Sequence, residues 1–587
     1  MKKLFLRAIC CLFAVVFVHT SVAARLVQGI VFRDANGNGV FDAGEVGLPD
    51  VVVSDSRTLV KTGPDGRYSL ECKDDKPIVW VCRPSRMRPS KSFWTLVEAD
   101  GSVDFGLVPM EQGSDFTFVQ ITDTHISRAD TASWVVDRLN SLPFPVDFVI
   151  NTGDLVSGSD GQTIEGAQNQ YDVFEKGFSH LKLPLFYVCG NHEHANSRHA
   201  NLQLDHELYG KGMYKQRFGP TVYSFDWGDI HCIVLDCTIL LPKGGYREGI
   251  DAEQTEWLKG DLAMVPKGKS IIAFSHQVLP RPTASLLEGK GVLAVYCGHL
   301  HRTYVRKQAD YDIIATPATS GAWWSGPGRS NPNSCGNPQG FRIINVSGGK
   351  IASQAYVSRH GDTPVSLASP LKRTHLKGKQ DFSVVVMDFG KKVSVTATLG
   401  DKPVELKQTE RHPQWSVWSG SFDTGSLVDS AHDFVAVAQM EDGTKSTMNV
   451  PYSIQNGVID TAFKTDRDAK LEFMLTSTSI KLEVVANDQV VGTLEADALK
   501  DVKSNKGKKI TFVIPAANLK RVNSIVLRAA PEQKGKAGFT QVRMTYPEPE
   551  TGKVRVLRDV RQFSNAKYAV DTGKSGKSSV ISIALPD

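Results

Sequence analysis

The sequence predicts a multidomain protein with a central α/β unit flanked by all-β units. Three observations predict it. At 587 residues the chain is too long for one hydrophobic core, and three or four domains are expected. From about residue 115 to about 360, strand-like apolar runs alternate with helix-like ones. On either side no helical period is visible, and short strand-like runs alternate with turn residues. A hydrophobic content of 41% and a charged content of 22% are those of a soluble globular protein.

Residues 1–24 have the form of a secretory signal: a basic start to Arg7, an apolar run from Ala8 to Val18, and the small-residue site Val22-Ala23-Ala24. The run is too short to span a membrane comfortably, and nothing later is long and apolar enough. The expected mature protein is therefore exported, periplasmic or at the cell surface or secreted, without a transmembrane span. The formal charge is +5, but Lys2, Lys3 and Arg7 belong to the leader. Without those three, 65 basic residues face 63 acidic ones, and that balance offers no argument for nucleic-acid binding.

Residues 25–112 are expected to form an N-terminal β-sandwich, with strands at Leu26 to Phe32, Val51 to Val53 and Tyr68 to Leu70, and a hairpin turn at Asp65-Gly66. Oxygen donors recur at Asp34, Asn36, Asn38, Val40 (through its carbonyl), Asp42 and Glu45, with Gly39 at the sixth position. That is the spacing of a calcium loop, in which glycines let the chain curl around a hard cation. The flanks are strands rather than EF-hand helices, and the stretch resembles the calcium loop of B-type repeat domains of bacterial surface adhesins. A structural calcium ion is expected there, against an ion-free Asn/Gly-rich turn. Seven cysteines follow the leader, an odd number and sparse for a disulfide scaffold. Cys189, Cys232 and Cys297 are expected as buried free thiols, while Cys72 and Cys82 could bridge neighbouring strands.

Residues 113–362 are expected to form the α/β unit. Its strands are placed at Asp115 to Thr122, Asp147 to Asn151, Leu185 to Cys189 (a buried strand), Tyr223 to Phe225, Ile230 to Asp236, Ser270 to Phe274 and Leu293 to Tyr296. Helices are placed at Ala132 to Leu142 and Tyr171 to Leu181, and antiparallel ribbons near Tyr311 to Ala315 and Phe341 to Val357. In open α/β sheets, ligands bind outside the carboxyl ends of strands. Five strand ends here carry hard donors: Asp123-Thr124-His125, Gly153-Asp154, Gly190-Asn191-His192-Glu193-His194, Ser275-His276 and Gly298-His299-Leu300-His301. Singly, each has a plain explanation as a helix cap or a surface residue. Together they supply carboxylates, an amide and several imidazoles, which suits divalent transition metals, with enough donors for two ions if one carboxylate bridges.

This motif series resembles the calcineurin-type metallophosphoesterase family over about residues 116 to 305. The resemblance implies a four-layer α/β sandwich and a dinuclear centre of Mn, Fe or Zn. It implies that Asp123, His125, Asp154 and His301 hold one metal, that Asp154 bridges, and that Asn191, His276 and His299 complete the second. His192 would assist the leaving group. Phosphoryl transfer needs positioning and charge neutralisation. Two metals can clamp the phosphate oxygens and activate a hydroxide held in line. The expected function is an exported metal-dependent phosphohydrolase acting on a small phosphorylated substrate, a phosphate mono- or diester.

Substrate contacts are less marked. Asn196 to Tyr214, with His199, His206 and Tyr209, could wall the cleft; Trp323-Trp324 could stack on a substrate; Arg128 could meet phosphate. Residues 363–455 and 456–587 are expected as a C-terminal β domain and a second β-sandwich-like region. The order of β domain, phosphoesterase core and β domain resembles one exported bacterial subgroup of the family. The alternative is a surface or periplasmic binding protein whose β modules contact glycan, protein or envelope, with the core as scaffold. The near-complete donor set argues against it.

Overall fold

The computed structural model describes residues 25–587 except 75, 98–100, 321–336, 338, 360–363, 372–375, 430, 455, 459–464, 501–506, 521, 548–553, 559–566, 572–578 and 585–587. The leader, Trp323, Trp324 and Cys335 lie outside the described residues. No described helix is long and apolar enough to cross a membrane.

Two parallel-rich sheets face each other at the centre. The first runs in the order Leu185–Tyr187, Phe148–Asn151, Phe116–Ile121, Gly340–Ser347, Lys350–Ser358; its first three strands are parallel and the last two antiparallel. The second runs Tyr223–Trp227, Ile230–Leu235, Ser270–Ser275, Val292–Cys297, Asp312–Ala315, Tyr304–Lys307, with four parallel strands inside two antiparallel edges. Strands such as Phe148–Asn151 and Ile230–Leu235 are buried along their whole length, because both faces of each sheet are covered. Aromatic rings fill the space between the sheets: Phe118 stacks on Phe148 at 4.9 Å and Phe186 on Phe225 at 4.0 Å.

Helices Ala129–Asn140 and Ile164–Phe178 pack in one core with the first sheet. Helix Ala252–Met264 covers the second sheet: Phe225 faces the sheet-sheet core, while its neighbour Ser224 hydrogen-bonds Asp261 of the helix. The result is the expected four-layer sandwich. Helix Ile164–Phe178 begins seven residues before the expected Tyr171, because Thr163 caps it by accepting from Gly166 N–H at 3.1 Å. Helix Ala252–Met264 was not expected, since its buried face includes Gln254 and Asp261 as well as Trp257 and Leu258. Leu185–Tyr187 is a half-buried edge strand rather than a buried one; Val188 and Cys189 beyond it are fully buried.

N-terminal to the sandwich, strands Arg25–Arg33, Val46–Gly47, Arg67–Cys72, Met87–Pro89 and Phe105–Pro109 form one sheet. Leu59–Lys61, Val52–Ser54, Ile78–Val81 and Trp94–Leu96 form another, and Val27, Val53, Leu70, Val79 and Leu107 are among the core between them. Asp65-Gly66 does not close a hairpin: Leu59–Lys61 pairs with Val52–Ser54 and Arg67–Cys72 with Arg25–Arg33, so the turn carries the chain from one sheet to the other. Cys72 and Cys82 are free and buried, as are Cys189, Cys232, Cys237 and Cys297. Trp80 packs against Trp257 at 6.0 Å and so joins this unit to the central one.

C-terminal to the sandwich, eight strands among the described residues between Val365 and Ser453 make two four-stranded sheets around Phe382, Leu399, Phe434 and Tyr452. Val385, Met387 and Trp415 of this unit enter the core beneath the helices Ala129–Asn140 and Ile164–Phe178. The last unit, strands from Ala469 to Ala584, is a second pair of sheets with its own core.

Candidate metal centre

The donors sit just past strands, and five of them lie on turns that the backbone holds in an uncommon conformation. Asp123, His125, Asp154, His299 and His301 all have positive φ, between 43 and 64°. Non-glycine residues rarely occupy that region, and strained residues cluster where function requires a particular side-chain direction. The turns are locked together. Asp123 N–H donates to Gly153 O at 2.9 Å and His125 N–H to Asp154 O at 3.0 Å. His299 N–H donates to the Asp123 carboxylate at 3.0 Å.

Two donor groups result, and Asp154 belongs to both. Asp123, His125, Asp154 and His301 bring ligand atoms within 4.8 Å of one another; so do Asp154, His276 and His299. In the first group His301 Nε2 lies 3.0 Å from Asp123 Oδ1 and 3.1 Å from His125 Nε2, which is 3.7 Å from Asp154 Oδ2. In the second, His276 Nδ1 donates to Thr152 O at 2.8 Å, so Nε2 turns to Asp154 Oδ1 and Asn191 Oδ1, each at 3.2 Å. Burial lowers the His276 pKa, but Asp154 and Asp123 outweigh it and push it up to about 10. Burial would raise the Asp123 carboxyl, yet His301 outweighs it and holds the pKa down at about 2. Asp154 is likewise held well below the carboxylate range, with burial opposed by His276 and His192. The pocket thus demands positive charge where imidazole nitrogen and carboxylate oxygen converge. Mixed N/O donors around a shared carboxylate fit two divalent cations.

His192 lies beside both groups. Its N–H donates to Asp154 Oδ1 at 3.0 Å, its ring meets His125 edge-on at 4.7 Å, and its Nε2 is 3.7 Å from Asp154 Oδ2. Its Nδ1 is buried and makes no hydrogen bond among the described residues; Asp160 Oδ1 is 3.8 Å away, and Asp160 pairs with Arg198. The seven residues expected around the two transition-metal ions, Asp123, His125, Asp154, Asn191, His276, His299 and His301, therefore lie together, with His192 beside them.

Sequence reasoning missed Glu193, although it lies inside the Gly-Asn-His-Glu run. Its buried carboxyl group accepts from four backbone N–H groups, Gly190 at 2.7 Å, Leu155 at 2.8 Å, Asp154 at 2.9 Å and Val156 at 3.2 Å, which favour the ionised form, while burial and Asp154 push its pKa up to about 8. One side chain thus ties the Asp154 turn to the Asn191 turn. Gly190 must be glycine, because a Cβ there would stand 2.3 Å from Asp154 N. Also missed was the hairpin Thr238–Leu240 and Tyr246–Glu248, which sets Tyr246 6.4 Å from the His194 ring and Glu248 3.5 Å from His299.

Other expected residues fall elsewhere. Arg128 is exposed and pairs with Asp130 at 2.7 Å. The segment after Asn196 is held to the Ser159–Gly161 turn and to the hairpin loop: Asn196 N–H donates to Ser159 O, and Gly245 N–H of the hairpin loop donates to Ser197 O. The loop Asp34 to Glu45 closes on itself: Asp34 accepts from Gly37 and Gly39, Asp42 from the Asn36 and Asn38 amides, and Glu45 from Ala35 and Asp42.

Residues 116–303 match the family of calcineurin-like phosphoesterases, and residues 35–105 match the N-terminal domain of calcineurin-like phosphoesterases. Among relatives, a probable glycerophosphodiester phosphodiesterase of Arcobacter nitrofigilis is 28% identical over 211 residues, which is 31% of this chain and 71% of that protein. A 3',5'-cyclic-nucleotide phosphodiesterase of Nostoc sp. is 25% identical over 236 residues, 36% of this chain and 80% of that protein. A serine/threonine-protein phosphatase of Danio rerio is 26% identical over 207 residues, 31% of this chain and 63% of that protein.

Proposed function

We propose, from a chain that belongs to the calcineurin-like phosphoesterases and is a hydrolase of that class, that it is an exported enzyme cleaving phosphate mono- or diesters with two divalent cations. The observation that carries the dinuclear reading is the sharing of Asp154 between two donor groups. When bound, the cations would supply charge neutralisation for the phosphate and a water of lowered pKa. Asp123, His125, Asp154 and His301 would hold one, and Asp154, Asn191, His276 and His299 the other.

The chain's own groups do the rest. Glu193 fixes the two turns, so the donors are in place before substrate arrives and cost no reorganisation then. His192 Nε2 stands at the edge of the donor cluster, where it can hold a proton for the departing ester oxygen. The leader supports export. The calcium spacing from Asp34 to Glu45 supports a structural ion in the N-terminal unit.

The test is hydrolysis of para-nitrophenyl phosphate and its bis-ester by mature protein reconstituted with Mn, Zn or Fe. Turnover of either ester that chelator abolishes and metal restores is expected. Two bound cations with no turnover of either ester would count against a general mono- or diesterase.

A further inference from the structure

The second cation group contains one more exposed ligand, His299. Its side chain is 24% exposed, whereas His276 and Asp154 beside it are 0% and 2% exposed. A metal-ligating imidazole needs its other nitrogen oriented by a hydrogen-bond acceptor, which sets the tautomer and the ring direction. For His276 that acceptor is Thr152 O, on Nδ1 at 2.8 Å. For His299, among the described residues, a carboxylate faces the ring: Glu248, whose Oε1 is 3.5 Å from Nε2.

Glu248 is brought there by a device outside the strand-end motifs. It ends the strand Tyr246–Glu248, which pairs with Thr238–Leu240 in a two-stranded hairpin. Residues two apart on a strand share a face. Tyr246 faces His194 and Glu248 faces His299, so that face lies against the metal-site turns. The hairpin's loop is anchored to the segment after Asn196, where Gly245 N–H donates to Ser197 O at 2.6 Å, and its own ladder runs one bond past the strand ends, with Gly249 N–H donating to Cys237 O at 2.9 Å.

Resting on the dinuclear reading above, we propose that Glu248 is a positioning residue for the second cation: it takes the Nε2 proton of His299 as a hydrogen-bond acceptor and leaves Nδ1 for the metal. The hairpin then acts as a clasp on the more exposed cation site, and the first site is independent of it. The carboxylate also adds negative charge beside that site, which favours retention of a divalent cation.

The experiment titrates metal-free full-length protein with Mn(II), reading two-site affinities by calorimetry and stoichiometry by elemental analysis. Wild type, Glu248→Ala, Glu248→Gln and Arg247→Ala are compared; Arg247 adjoins Glu248 on the strand but faces the other way. Losing an outer partner of this kind weakens metal binding by about 10- to 100-fold. Glu248→Ala should weaken the second site by about that factor and leave the first within about twofold. Glu248→Gln, which keeps an acceptor oxygen but loses the charge, should fall between, and Arg247→Ala should match wild type. The lost turnover of Glu248→Ala should return as metal is raised. Two wild-type affinities in Glu248→Ala, or an equal loss at both sites, would overturn the proposal while leaving the dinuclear reading intact. A wild-type protein that binds one cation would overturn both.

Discussion

Replacing His231 with Gln should remove a pH-dependent part of the stability of the central unit. The ring is buried on the strand Ile230–Leu235, with Nδ1 2.8 Å from Asp226 Oδ1 and Nε2 3.0 Å from Asp261 Oδ2. Both partners are carboxylates, so both nitrogens carry protons and the ring is an imidazolium. Cys82 lies close enough to form a metal-like cluster with Asp226 and His231, but both imidazole nitrogens are already committed. Burial lowers the pKa of His231; Asp261 and Asp226 outweigh it and push it up to about 9. The distance from the ordinary 6.5 to about 9 corresponds to about 3 kcal/mol. Because the folded value lies above the unfolded one, this contribution is complete below pH 6.5 and is lost as the pH rises through about 9. The neighbouring strand forms a junction between units: Asp226 N–H donates to Arg83 O at 2.8 Å, and the Arg83 guanidinium lies 4.1 Å over Trp227. Urea unfolding of wild type and His231→Gln at pH 6.5, 8 and 10 checks this. The stability gap should narrow by about 3 kcal/mol between the first and last pH. A gap that stays constant would refute the doubly bonded imidazolium.

Three further outcomes are expected. His192→Ala should retain its cations, measured by elemental analysis, while kcat falls by about 10²- to 10⁴-fold, the usual range for a lost proton donor; unchanged turnover would remove its leaving-group role. Glu193→Gln places an NH₂ against backbone N–H groups that now share one carboxylate. It should destabilise the central unit by several kcal/mol, about 1–3 for each donor left unpaired, as read by thermal melting. Trp415→Ala should cost about 3–5 kcal/mol, because this ring is 1% exposed in the core shared by the β unit after residue 363 and the helices of the central unit. A melting curve unchanged by that substitution would mean the two units are not packed as one body.

The donor set was legible because it obeys a simple rule: hard ligands at the carboxyl ends of strands in an α/β pattern. Asp123, His125, Asp154, Asn191, His276, His299 and His301 needed only that rule and a family resemblance to be found. What the sequence hid were residues whose role depends on a distant partner. Glu193 acts on backbone N–H groups around residue 155, and Glu248 reaches His299 from a hairpin with no motif of its own. Helix Ala252–Met264 escaped notice for a related reason. Its buried Gln254 bonds the Asp236 backbone through both amide atoms, so a polar residue occupies a core position and breaks the apolar period. Asp65-Gly66 misled in the opposite way. The local turn chemistry is correct, with Gly66 at φ 81°, but pairing partners are set by the whole sheet and not by the turn.

One carboxylate serving two cations is tested directly by the metal content and cation affinity of Asp154→Asn beside wild type. Asp154 belongs to both donor groups, and its Oδ1 and Oδ2 face His276 and His125 respectively. Wild type should bind two divalent cations per chain, and Asp154→Asn should lose affinity at both sites together with hydrolysis of both test esters. A variant that keeps one cation at wild-type affinity would show that Asp154 serves a single site, and the shared centre would have to be abandoned.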